Sequence, residues 1–319
     1  MTGSNNNISI DVKALTRKFG KFTAVNNISM QVKQGEIFGF LGPNGAGKST
    51  TIRMLCGIIP PTEGTAIVAG YDVVTVPDKV KGSIGYMSQK FSLYDDLTVS
   101  QNIDFYSGIY LVPKAEKKQR KEWVLNTTGL TDNINTLTSN LSGGWKQRLA
   151  LACAVVHKPK VLFLDEPTAG VDPLARRKFW DLIYDTAANG TTILVTTHYL
   201  DEAENCNRIG LIYNGEIIAI GTPGEVKADA LPENILELNC GDCLAAMDIL
   251  SGNEFVKQST PFGNMLHLIL NRISGSNNGV VESIKTNLSS RGIQVVSAEF
   301  VRPSLEDVFI YLINEKLGR

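Results

Sequence analysis

The chain has 319 residues, of which 43% are hydrophobic and 20% charged, as in a folded chain with a substantial core. That length holds one large α/β domain and a smaller appendage. A formal net charge of −1 supplies no basic field, so no nucleic-acid partner is expected.

In chain order, residues 1–7, ending in three Asn, read as a disordered lead without the charged-then-apolar pattern of a secretory signal. Residues 8 to 41 alternate apolar and polar, as in Ile8-Ser9-Ile10-Asp11-Val12 and Ile28-Ser29-Met30-Gln31-Val32, which predicts half-buried antiparallel strands. Glu36 to Leu41 is more continuously apolar and reads as a buried central strand. A glycine-rich turn follows, then a helix from Lys48 to about Cys56. Residues 92–157 read as a helical subdomain, with one helix started at Asp95, Asp96 and Thr98 and a charged one over Ala115 to Leu125. Strands at Val161–Leu164 and Thr192–Thr196 alternate with helices at Arg176–Ala188 and Leu200–Asn205, the pattern of βαβ units in a parallel sheet.

Gly221-Thr222-Pro223-Gly224 marks a turn that closes the first domain at about residue 224. Residues 225–319 carry their own order: strand Ile235–Cys240, helix Leu244–Leu250, strands Phe255–Thr260 and Met265–Leu270, helix Val280–Leu288, strand Ile293–Val301. This β-α-β-β-α-β order predicts a small α+β accessory domain of ferredoxin-like pattern. A last amphipathic helix, Ser304 to Lys316, has a capping pair in Ser304 and Asp307. No run approaches the about 18 consecutive apolar residues of a membrane helix, so any membrane work needs a second chain.

Of the five cysteines, Cys56, Cys153, Cys206 and Cys240 sit in or beside apolar runs and read as core. Cys240-Gly241-Asp242-Cys243 is a lone CxxC at a strand-to-helix junction, a place for a redox pair, though two thiols do not close a tetrahedral metal site.

Gly42-Pro43-Asn44-Gly45-Ala46-Gly47-Lys48-Ser49, followed by Thr50, matches the phosphate-loop pattern GxxxxGK[ST] between a strand and a helix. Its glycines let successive backbone N–H groups point at phosphate oxygens, and the following helix adds its positive end. Lys48 is placed to reach the β- and γ-phosphates of ATP, and the Ser49 hydroxyl to ligate Mg²⁺. At the end of the next apolar strand, Asp165 is positioned for the metal and Glu166 to polarise the attacking water.

Leu141-Ser142-Gly143-Gly144-Trp145-Lys146-Gln147-Arg148-Leu149 closely resembles the LSGGQ signature of ATP-binding cassette (ABC) ATPases, and the resemblance runs over about residues 8 to 224. It implies a P-loop nucleotide-binding domain with antiparallel strands, a parallel-sheet core and a helical subdomain. It also implies a head-to-tail dimer, with Ser142, Gly143 and Gly144 of one copy covering the γ-phosphate held by the other. Gln89 resembles the loop glutamine that senses Mg²⁺ and water, and Ala169-Gly170-Val171-Asp172 resembles the loop whose Asp172 reaches across the dimer. His198 resembles the switch histidine at the γ-phosphate. Phe19 resembles the aromatic that stacks on adenine, usually a Tyr. Taken singly, Gln89, His198 and Phe19 read as an ordinary loop, surface or core residue; their order with the strong motifs gives them roles. His157 and His267 have no such support and read as structural. Trp145 stands where the signature has Gln, and reads as packing against the helical subdomain.

The stretch from Pro167 to Pro173 and the ending Pro303 to Phe309 resemble ATPases of multidrug and polysaccharide exporters. The implied work is export of a drug-like or lipid/polysaccharide cargo through a separate integral membrane permease gripped by residues around Gln89 to Tyr106. The implied partner cassette is a second copy or a homologue, and the place is peripheral, on the cytoplasmic face of the inner membrane. The alternative is a soluble ABC ATPase acting on ribosomes or nucleic acid, or half of a tandem-cassette protein. The accessory domain is expected to support the dimer or regulate it.

Overall fold

Alternating side chains build the first two strands. In the computed structural model, which describes residues 8–231, 235–271 and 277–318, β1 (Ile8–Phe19) pairs antiparallel with β2 (Phe22–Lys33). Their inward residues, among them Ile10, Val12, Leu15, Val25, Ile28 and Val32, are buried. Residues 1–7, expected to be a disordered lead, lie outside the described residues. Strand β3 (Ile37–Leu41) is buried at every position, as its unbroken apolar run requires, and α1 (Lys48–Leu55) follows it across the glycine turn.

The antiparallel layer is larger than the sequence pattern suggests. Strands β4 (Glu63–Val68) and β5 (Tyr71–Asp72) complete it in the order β2-β1-β4-β5. Glu63, Gly64 and Thr65 are all exposed, so this strand carries too little apolar alternation to be read alone. Gly64 is required there: it holds φ +82, and a Cβ would lie 2.2 Å from the Ala14 carbonyl oxygen.

Helix α2 (Pro77–Ser83) leads to β6 (Ile84–Met87). The helical region then holds α3 (Val99–Ile109), α4 (Lys114–Thr128) and α5 (Gly143–Val155). Thr98 caps α3 reciprocally with Gln101: the Thr98 hydroxyl accepts from the Gln101 N–H, and the Gln101 side chain accepts from the Thr98 N–H at 2.8 Å. Gly129 in the left-handed region ends α4.

Next come β7 (Val161–Asp165), α6 (Pro173–Ala188), β8 (Thr192–Thr197), α7 (Leu200–Ala203), β9 (Arg208–Tyr213) and β10 (Glu216–Gly221). The sheet order is β10-β9-β3-β8-β7-β6, parallel from β9 to β6 with β10 antiparallel at one edge. The hairpin of β9 and β10 was not anticipated, and the turn expected at Gly221–Gly224 is shorter. Gly221 closes β10 and Pro223 opens α8 (Pro223–Ala230), where the missing N–H of proline costs nothing at a helix start.

His157 is structural. Its ring stacks on Tyr110 at 3.7 Å, and Nε2 lies 3.0 Å from the Ile84 carbonyl oxygen. Burial holds its pKa down to about 4, so the ring is neutral near pH 7.

The chain divides into two compact units, Met1–Pro223 and Gly224–Arg319. The second contains β11 (Ile235–Cys240), α9 (Cys243–Leu250), β12 (Val256–Phe262), β13 (Met265–Leu270), α10 (Asn277–Ser290), β14 (Val295–Val301) and α11 (Leu305–Leu317). Its sheet is antiparallel throughout, in the order β12-β13-β11-β14, and covers a core that includes Leu236, Leu238, Leu266, Leu268, Ile284 and Leu288. His267 is buried here between two carboxylates, with Nδ1 2.8 Å from Asp307 and Nε2 3.1 Å from Glu237, and stacks on Phe262. Asp307 also accepts from Ser304 to cap α11, so one buried carboxylate ties that helix to the sheet.

Candidate nucleotide site

The sheet order brings the motifs together before any side chain is considered. β3, β8 and β7 are parallel neighbours, with Leu41 beside Thr197 and Asp165 beside Thr196. Their carboxyl ends therefore release Gly42, His198 and Glu166 at one edge, the crevice where open α/β sheets bind ligands. β6 lies next to β7, so Gln89, two residues past Met87, joins them.

The turn after β3 has room only for backbone. A Cβ at Gly42 would sit 2.2 Å from the Ile212 carbonyl oxygen, and one at Gly47 would sit 2.6 Å from that of Ala24. Gly47 holds φ 108 as the residue preceding α1, and no side chain caps that helix. Its first amides are thus left for an anion, with the helix dipole behind them.

Lys48 is only 4% exposed. Its ammonium donates to the carbonyl oxygens of Gly42 (2.7 Å) and Pro43 (3.2 Å) and pairs with Glu166 Oε1 at 3.1 Å. The other Glu166 oxygen accepts from Gln89 Nε2 at 3.0 Å and lies 3.4 Å from His198 Nδ1. Lys48, Gln89 and His198 thus meet on the one carboxylate of Glu166. Glu166 itself has φ 49, a left-handed conformation that costs a non-glycine residue on the order of 1 kcal/mol and marks a constrained position.

Asp165 stands beside this cluster. Its Oδ1 accepts from the Ser49 hydroxyl at 3.0 Å and the Thr196 hydroxyl at 2.8 Å. The hydroxyl and carboxylate oxygens of Ser49 and Asp165 are the hard donors that Mg²⁺ takes, so the residues fit that ion.

Two buried polar residues escaped the sequence reading. Thr196 donates to Asp165 and accepts from the Glu166 backbone N–H at 3.0 Å, holding both acids in place. Gln147, within α5, donates to the Pro167 carbonyl oxygen, tying the signature helix to the residue after Glu166. For Thr196 the available signal was a hydroxyl at the end of an apolar run, which needs a partner once buried; Gln147, between Lys146 and Arg148, gave none.

The remaining site residues lie elsewhere on the first unit. Ser142 precedes α5 with its side chain making no cap bond, and Ser142 and Gly143 are exposed. Among the described residues, no hydrogen bond joins Ser142, Gly143 or Gly144 to Lys48, Ser49 or Glu166. Asp172 caps α6, its Oδ1 accepting from the backbone N–H of Leu174 and Ala175. Phe19 is 47% exposed, with the Arg17 guanidinium 4.6 Å from its ring centre, so it is no core residue. Trp145 is partly exposed and carries the Arg148 guanidinium 5.3 Å from its ring centre.

Residues 25–169 match the ABC transporter family. The chain is 33% identical over 309 residues to the linearmycin resistance ATP-binding protein LnrL of Bacillus subtilis, covering 97% of this chain and 99% of that protein. The chain belongs to the ABC transporter ATP-binding proteins. This ABC ATPase is also 51% identical over 221 residues to YbhF of Escherichia coli, a probable multidrug ABC transporter ATP-binding protein. That match covers 69% of this chain and 38% of YbhF, so what the two share spans well under half the length of that relative. Among solved structures, a dimeric ABC cassette in a post-hydrolysis state bound to ADP and Pi aligns with TM-score 0.61 and 26% identity. The alignment covers 67% of this chain and 98% of that one. The cassette binds nucleotide and its enzymatic class is ATPase.

Proposed function

We propose that this ABC ATPase hydrolyses ATP in a head-to-tail dimer and thereby drives export of a drug-like or lipid/polysaccharide cargo through a separate membrane permease. The observation that carries the proposal is the convergence of Lys48, Gln89 and His198 on the Glu166 carboxylate, beside the paired oxygens of Ser49 and Asp165.

Lys48 and Glu166 are direct neighbours in the site. The backbone amides of the phosphate loop cradle the phosphates of ATP, and Lys48 reaches the β- and γ-oxygens. Glu166 accepts a proton from water aligned with the γ-phosphorus, while Gln89 orients the same water and His198 donates to the γ-phosphate. Ser49, Asp165 and Gln89 would hold Mg²⁺, which when bound neutralises charge on the β- and γ-phosphates. Phe19 offers its exposed ring face to adenine. Ser142, Gly143 and Gly144 present unused amides and a hydroxyl to the γ-phosphate of a partner copy, and Asp172 approaches from the same side. Closing and opening of this shared site is the mechanical output.

The permease contact is assigned to the surface around Gln89 to Tyr106. Tyr86, Phe91, Tyr106 and Tyr110 line a narrow cleft there. Tyr94, Phe105, Ile109 and Leu111 expose apolar surface beside it, 85% exposed at Leu111. Among the described residues no helix is long and apolar enough to cross a membrane. A peripheral position on the cytoplasmic face of the inner membrane follows from the permease assignment. The names of the multidrug and linearmycin-resistance relatives support the drug-like cargo.

The test is capture of tagged Glu166→Gln protein with ATP and Mg²⁺ from detergent-treated cells. A copurifying polytopic membrane protein is the expected result. Ribosomal particles or nucleic acid without a membrane protein would overturn the export reading and leave the ATPase chemistry standing.

A further inference from the structure

The accessory unit holds a second chemically distinct pair of side chains, independent of the nucleotide site. Cys240, the buried last residue of β11, and Cys243, the partly exposed first residue of α9, place their sulfurs 3.7 Å apart. That is van der Waals contact between two thiols, and it is supplied by the local strand-to-helix turn alone. Asp242 fixes the turn as the N-cap of α9, accepting from the Ala245 N–H at 3.0 Å. The remaining thiols, Cys56, Cys153 and Cys206, are buried singly, and burial pushes each of them well above the ordinary thiol range. They are protonated and out of reach of reagents.

A pair of sulfurs in contact has two uses, metal capture or disulfide formation. Metal capture needs both sulfurs as thiolates and further donors. Among the described residues no group of three His, Cys, Asp or Glu is placed to hold a metal. The other partners of Cys243 Sγ among the described residues are carbonyl oxygens, of Asn264 at 3.4 Å and Cys240 at 3.9 Å, which accept its S–H and add no thiolate, imidazole or carboxylate ligand. Burial, then the neighbouring thiol, pushes Cys240 up to about 11. A disulfide, in contrast, leaves no charge in this pocket.

We propose that Cys240 and Cys243 form a reversible disulfide at the start of α9, made and broken by exchange with low-molecular-weight thiols and disulfides. The partly exposed Cys243, as the thiolate, attacks one sulfur of a small disulfide RSSR, giving Cys243–S–S–R and releasing RS⁻, which takes up the proton Cys243 lost. The Cys240 sulfur, already in contact, then attacks Cys243 Sγ. This forms the Cys240–Cys243 bond and expels the second RS⁻, which takes the Cys240 proton. Two protein thiols are oxidised and one RSSR is reduced to two RSH. Bond formation removes the S–H that Cys243 offers to Asn264, in the turn between β12 and β13. A covalent tie between β11 and α9 replaces a tie between α9 and that hairpin.

The experiment equilibrates the full chain in buffers of graded reduced and oxidised glutathione, quenches with acid, denatures, alkylates and measures intact mass. Reduced protein should take up five alkyl groups and oxidised protein three, with a mass loss of about 2 Da reversed by dithiothreitol. Peptide mapping should join residue 240 to residue 243. Cys240→Ser, which lacks the resolving thiol, should instead accumulate a glutathione adduct on Cys243. Five alkylatable thiols across the whole series, a persistent adduct on Cys243 in the unmutated chain, or stoichiometric zinc or copper on the reduced pair by elemental analysis would each overturn the proposal.

Discussion

Glu166→Gln lowers ATP turnover by about 10²–10⁴-fold, the range lost with a positioned general base, while nucleotide affinity holds or tightens. The reason lies in the pairing of Glu166 with Lys48. Glu166 holds Lys48 at 3.1 Å, and its charge opposes the approach of a polyphosphate. An amide of the same shape keeps the Gln89 neighbour, releases Lys48 for phosphate, and cannot take a proton from water. The variant should therefore accumulate as an ATP-bound dimer. Steady-state phosphate release and a fluorescent-nucleotide titration measure both halves of the claim. Turnover within tenfold of the unmutated chain would remove Glu166 from its role.

Lys48→Ala should have the opposite signature, losing affinity itself. Removing one partner of a buried charged contact costs about 2–5 kcal/mol, which is roughly 30- to 5,000-fold in nucleotide dissociation constant. In the folded chain the same change leaves the Glu166 carboxylate, 8% exposed, without its nearest cation. The melting temperature is thus the control that separates lost binding from lost fold. Nucleotide affinity within threefold of the original, in a folded variant, would contradict the phosphate-loop assignment.

How much of this was visible in the sequence follows the range of the interactions. The phosphate loop, the acids Asp165 and Glu166 and the signature at Leu141 are contiguous patterns whose function depends on local backbone shape, and they were readable as strings. The central parallel strands were readable because burial on both faces leaves uninterrupted apolar runs. Strands β4 and β5 and the β9–β10 hairpin were not, since their identity rests on partners far along the chain. Glu63 to Thr65 is polar and exposed and becomes a strand only by pairing with β1.

Within the site, the missed residues have the same cause. Thr196 looks like one more β-branched strand residue until the neighbouring strand brings Asp165 to its hydroxyl. Gln147 looks like a helix-surface amide until α5 lies against Pro167. Asp172 shows a further limit of motif reading: the feature visible within one chain is a helix cap, and the role proposed for it across the dimer leaves no mark there. In the accessory unit, CxxC spacing announced a thiol pair, but the choice between metal and disulfide depended on whether other parts of the fold bring further ligands, and among the described residues none form a group of three.

The central claim is that two copies compose each ATP site, and mixing two inactive variants tests it most directly. Lys48→Ala disables the phosphate loop and keeps the signature; Ser142→Arg blocks the exposed signature and keeps the phosphate loop. In a mixed head-to-tail dimer, one site joins the intact loop of the second variant to the intact signature of the first. Each variant alone should be inactive, and an equal mixture should recover roughly a quarter of the unmutated ATPase rate, since about half the dimers are mixed and each has one working site of two. A mixture that stays as inactive as its components, with both variants folded and dimerising, would contradict the shared site.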